Sequence, residues 1–106
     1  MEAEQILEDN ATEKEGSFLY YLHEKSSFDK ELFHQLYDSI RAAAEKDIAV
    51  SRTARQITHI YGQILKCFLY HFDKDDNYKI INLPENYNKM IEYLDKSVEY
   101  YFSTRI

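Results

Sequence analysis

The stretch that decides the fold is Ser51–Phe72, SRTARQITHIYGQILKCFLYHF. Ala54, Ile57, Tyr61, Ile64, Leu65, Phe68 and Phe72 recur in it every three or four residues, the period of one helical face. Gly62 falls within the same stretch, on its other face, and a glycine inside a helix costs about 1 kcal/mol against alanine. The spacing therefore predicts one long helix capped by Ser51, and Gly62 predicts a close crossing with a second helix.

Working outward, three further segments share that period. SFLYYLHEK (17–25) predicts a short helix that starts after Gly16 and Ser17, with Phe18, Leu19 and Leu22 inward. Phe28 to about Lys46 carries Phe28, Leu32, Phe33, Leu36, Tyr37, Ile40 and Ala43 or Ala44 on one face. Ser26 or Ser27 is its expected N-cap, and Asp29 falls in the first turn, where a carboxylate complements the helix dipole. Pro84, suited to a first helical position, announces a last helix with Tyr87, Met90, Ile91, Leu94, Val98, Tyr101 and Phe102 inward. Only YKIINL, Tyr78–Leu83, reads as extended, and it has no evident strand partner. The expected fold is all-α, a compact bundle of about four principal helices, with a weaker helical turn around Ala3–Glu8. The short Lys46–Ser51 connection predicts antiparallel packing of the two helices it joins.

Composition agrees. A chain of 106 residues with 44% apolar residues suffices for one core, and two glycines and one proline argue against a turn-rich β fold. A single cysteine, Cys67, excludes an internal disulfide and fits a reducing cytoplasm. The acidic start, MEAEQILEDNATEKEG, has no apolar run fit for a signal peptide or membrane span, so a cytoplasmic location is expected. Residues 1–16 hold six acids against Lys14, which accounts for five of the six net negative charges. The expected division is an acidic N-terminal segment, 1–15, and a helical domain, 16–106. With a near-neutral body there is no basic field to displace the counterions of duplex nucleic acid.

Chemistry-bearing patterns are few. Asp73, Asp75 and Asn77 fall at calcium-loop positions 1, 3 and 5, but position 6 is Tyr78 and position 12 is Pro84, where glycine and a bidentate carboxylate belong. An acidic turn that ends a helix, or one that offers carboxylates to a protein, fits better than a metal site. His23, His34, His59 and His71 form no zinc-ligand spacing with each other or with Cys67. No cofactor is implied. Arg52, Arg55, His59, Gly62 and Lys66 line a polar stripe, and the arginines, misplaced near a helix N-terminus, call for compensating acids such as Glu92, Asp95 or Glu99. The Arg52–His59 spacing also resembles the R-x4–6-H motif of HEPN-type helical domains, many of them metal-independent ribonucleases. That resemblance implies phosphate binding by Arg52 and proton transfer by His59. Ten tyrosines, some off the apolar stripes, suit either bundle edges or a recognition surface.

The stretches GSFLYYLHEKSSFDKELFHQLYDSI (16–40) and FDKDDNYKIINLPENY (72–87) resemble small immunity proteins of bacterial polymorphic toxin systems. The landmarks are Gly16 before the aromatic-leucine run, Phe28 opening the long helix, and the acidic turn leading into Asn82-Leu83. The likeness covers roughly Gly16–Phe102. It implies a helical, non-enzymatic cytoplasmic protein that binds and neutralises a cognate toxin domain, without nucleic-acid or membrane partners. The contact surface is expected at Asp73, Asp75, Asp76 and Tyr78, supported by Glu92, Tyr93 and Glu99 on the last helix. The alternatives are an HEPN-like ribonuclease or inactive relative, and a helical adaptor.

Overall fold

The computed structural model describes residues 2–46 and 50–104, and of Val50 the backbone alone. It contains α1 (Glu2–Ala11), α2 (Phe18–Glu24), α3 (Lys30–Ala44), α4 (Val50–Phe72) and α5 (Tyr87–Ser103), with no strand among the described residues. The chain is an all-α bundle, as the periodicity predicts. No helix is long and apolar enough to cross a membrane among the described residues.

The acidic N-terminal segment is part of that bundle. α1 is the short extra N-terminal helix expected around Ala3–Glu8, ten residues long, with Glu2 and Glu4 in its first turn and Leu7 and Ala3 buried against the core. It packs on both α3 and α4, whereas α3 and α4 are not close neighbours of one another. The antiparallel α3–α4 pair expected from their short connection is therefore replaced by α1 lying between them; the connection itself, at 47–49, lies outside the described residues. The buried Asn10 ties α1 to α2, accepting Leu19 N–H at 2.9 Å while its amide donates to the Ile6 carbonyl. The sequence signal for α1 is weak because only two of its apolar residues, Ala3 and Leu7, are buried.

Helix starts also differ from expectation. Ser17 caps α2 through Tyr20 N–H at 3.2 Å, as its position predicts. Asp29, not Ser26 or Ser27, caps α3 by accepting Leu32 N–H at 3.0 Å, and Ser26 sits in a left-handed turn (φ 55°) before it. Pro84 does not open α5. The helix starts three residues later at Tyr87, whose N–H reaches the Pro84 carbonyl. Gly16, at φ 101°, occupies backbone space that suits glycine.

The core joins Leu7 of α1 with Phe18 and Leu22 of α2, Phe33, Leu36 and Ile40 of α3, Ile57, Ile60 and Ile64 of α4, and Leu94 and Tyr101 of α5. Phe18, Phe28 and Phe33 pack ring against ring at 5.1–5.4 Å, an aromatic nucleus beyond simple area burial. Two members of the expected α4 stripe fall outside it. The buried face is turned toward Ile60 and Cys67, leaving Leu65 half-buried and Phe72 exposed. Nor does Gly62 mark a helix crossing, since a methyl added there meets nothing within 4 Å.

Candidate binding surface

The segment after α4 is irregular in backbone but fixed at four points. Tyr78 donates its hydroxyl to the Leu22 carbonyl. Ile80 N–H donates to His71 Nδ1 at 2.8 Å and Ile81 N–H to the Ser26 carbonyl at 2.7 Å, while Asn82 Oδ1 accepts Phe28 N–H (2.6 Å) and Asn82 Nδ2 donates to the Phe28 carbonyl (3.0 Å). The missing partner of the extended YKIINL stretch is thus the α2–α3 junction, bound by a side chain that mimics a strand ladder. Ile80 is buried beneath this seam. Burial pushes the Tyr78 phenol well above its ordinary range, and it lowers His71, with the Lys79 ammonium adding to the effect. A lowered His71 remains neutral and keeps the lone pair that Ile80 N–H requires.

The acidic turn closes on itself. Asp73 Oδ1 accepts Asp75 N–H at 2.9 Å, and Asp76 Oδ1 accepts Tyr78 N–H at 2.8 Å. The Lys79 ammonium then bonds the carbonyls of Asp73 and Asp76 at 3.0 and 2.7 Å. Of the calcium-loop positions 73, 75 and 77, Asp73 thus has one carboxylate oxygen occupied by a backbone N–H. Asp73 and Asp75 remain exposed, Asp76 is half-buried, and Tyr78 offers only part of its ring, its hydroxyl being used inside. Beyond the turn, Ile81 is 80% exposed, the most open of the large apolar side chains among the described residues. Alternation explains it: Ile80 points inward, so Ile81 points out.

The seven sequence-derived contact residues do not form one patch. Glu99 lies twelve residues along α5 from Tyr87, about 18 Å along the axis from the end nearest the turn. It belongs instead with Asp95, which accepts the Tyr61 hydroxyl at 2.7 Å. Burial, with those carboxylates, raises the Tyr61 phenol to about 12. Glu92 is exposed, and Tyr93 stacks on Tyr37 of α3 at 6.0 Å on the other flank of α5. Leu69 (69% exposed) and Phe72, which packs on Tyr87 at 5.3 Å, form a further open ridge on α4.

Arg52 finds its acid elsewhere than expected. It pairs with Glu8 of α1 at 2.6 Å, and Gln56 donates to the same carboxylate oxygen at 2.8 Å, so for Arg52 the compensating group is on α1 and not Glu92, Asp95 or Glu99 of α5. Arg52, Arg55, Gln56, His59 and Ala11 line an open depression of about 320 Å³. A second histidine cluster was not legible from spacing. His23 Nδ1 lies 2.7 Å from Glu13 Oε1 and 3.8 Å from Glu24 Oε2, with Glu13 held at φ 52°. Comparison with protein-family models, curated proteins and solved structures finds no match.

Proposed function

We propose that the protein is an immunity protein, which binds and neutralises a cognate bacterial toxin domain in the cytoplasm by direct contact. The observation that carries this reading is the pinned segment 73–83, which holds both exposed carboxylates (Asp73, Asp75) and an exposed apolar side chain (Ile81) on fixed backbone. Ordering such a surface in advance removes much of the entropy cost of association. Its carboxylates speed encounter with a basic partner and its apolar side chain slows release. The resemblance of 16–40 and 72–87 to immunity proteins supports the same reading. Its landmarks, Phe28 and Asn82, bond to each other and so help to build this surface.

The experiment is co-expression with the product of the adjacent gene. If that product is the toxin, this protein rescues growth, and Asp75→Lys combined with Ile81→Ser removes rescue while the variant stays folded. Rescue by the double variant as strong as by the parent removes the segment from the interface.

The depression that gathers Arg52, Arg55 and His59 favours a second reading, an HEPN-like ribonuclease. Purified protein would then cleave RNA alone, and His59→Ala would abolish cleavage. An adaptor role is separated from both by identifying the protein that co-purifies with it.

A further inference from the structure

The outer face of α4 has a symmetry that neither reading above uses. Arg55, His59, Gly62, Lys66, Leu69 and Asp73 follow one another at steps of four, three, four, three and four, the spacing of a coiled-coil seam. Five of the six are exposed and Gly62 is half-buried, with open space where its side chain would be. Asp73 still belongs to this helical row, since its N–H bonds the Leu69 carbonyl at 3.0 Å. The row is about 27 Å long.

Read about its midpoint, at the level of Ile64, the row is self-complementary. In an antiparallel pair of α4 helices related by a two-fold axis, Arg55 of each copy faces Asp73 of the other. His59 faces Leu69. Lys66 faces Gly62, whose missing side chain leaves a channel for the lysine stem. A closed two-fold contact uses one patch twice, so a pattern that satisfies itself on reversal is what such a contact requires. Leu69 gains burial, and Phe72 and Leu65 flank the seam.

We propose that this face is an interface between two copies of the chain, an antiparallel α4–α4 dimer held by two Arg55–Asp73 pairs. A single helix pair with a largely polar seam buries less than a standard interface of about 1,200–2,000 Å², so association is weak and concentration-dependent. The dimer seam shares Asp73 with the surface assigned to neutralisation, whereas Asp75 and Ile81, the residues whose replacement tests that role, lie off the row, so the two fail separately.

Sedimentation equilibrium on the intact chain, from about 5 to 500 µM, spans the range expected of so small an interface. The parent protein should shift from monomer to dimer across it. Arg55→Asp and Asp73→Arg should each remain monomeric, having two repulsive pairs in place of two attractive ones. Mixed in equal amounts, the two variants should form a heterodimer, because each then meets its opposite charge. Far-ultraviolet circular dichroism checks that Asp73→Arg, which loses the bond to Asp75 N–H, stays folded. Leu69→Ser, at an open position, supplies a second variant and should weaken the dimer at least tenfold. A parent that is monomeric throughout, or a dimer indifferent to both charge reversals, overturns the proposal. So would finding that the row instead controls affinity for the adjacent gene product in a monomeric chain.

Discussion

Replacing Asn82 by alanine tests whether the segment after α4 is a built surface or a loose connection. The Asn82 side chain is exposed enough to look dispensable, yet it makes two hydrogen bonds to Phe28, a residue 54 positions earlier whose side chain is buried. Removing a typical bond costs about 1 kcal/mol net, and leaving the Phe28 N–H and carbonyl short of partners adds to that, for a total of about 2–3 kcal/mol. At about 2.1 cal/mol/K per residue, a chain of this length unfolds with an entropy of about 0.22 kcal/mol/K. The expected fall in Tm is therefore about 9–14 °C. Thermal unfolding followed by circular dichroism measures it. Amide hydrogen exchange adds a local readout, in which the Phe28 and Ile81 amides lose protection ahead of the α4 core. A variant that melts within about 2 °C of the parent, below even one lost bond by the same conversion, would refute the reasoning. The milder change Asn82→Asp keeps an acceptor for Phe28 N–H but loses the donor to the carbonyl, and should melt between the parent and Asn82→Ala.

Gly62→Ala should raise stability by about 1 kcal/mol in urea unfolding, because the added methyl meets nothing and helix propensity improves; destabilisation would reveal a contact absent from the isolated chain. Asn10→Ala should cost about 1–3 kcal/mol by the same assay, since it leaves Leu19 N–H unpaired in a buried setting and frees α1 from α2. His71 should make stability depend on acid. Its folded pKa lies below the ordinary 6.5, so the unfolded chain takes up the proton first, and the stabilisation is complete above 6.5 and fades as pH falls through the lowered folded value. Urea midpoints across that window should drop for the parent and stay level for His71→Gln once other titrations are subtracted; parallel curves would dismiss the Ile80–His71 bond as a contributor.

Much of the helical architecture was legible because periodicity reports burial directly. Ile57, Ile64, Leu94 and Tyr101 recur at helical spacing, and all four are buried. What was hidden depends on partners distant in sequence. Nothing near Asn82 indicates that it will complete the backbone of Phe28, and nothing near Arg52 points to Glu8 rather than to α5. The role of α1 was obscured by its charge. Two well-buried apolar residues and one capping asparagine anchor it, too few for a strong signal amid six acids in the first 16 residues. At the candidate surface, the carboxylates of the turn were evident from sequence, but Ile81 was not. Its prominence follows from Ile80 being drawn inward by the His71 bond, a choice between two adjacent isoleucines that only the folded seam makes.

The account turns on segment 73–83 acting as a preformed grip for another protein, and calorimetric titration against the product of the adjacent gene tests that most directly. Burial of an open isoleucine contributes about 2 kcal/mol, so Ile81→Ser should weaken binding about 30-fold, with the Tm unchanged. Asp75→Lys should weaken it further and flatten its dependence on salt. Equal affinity for the parent and both variants would contradict the account.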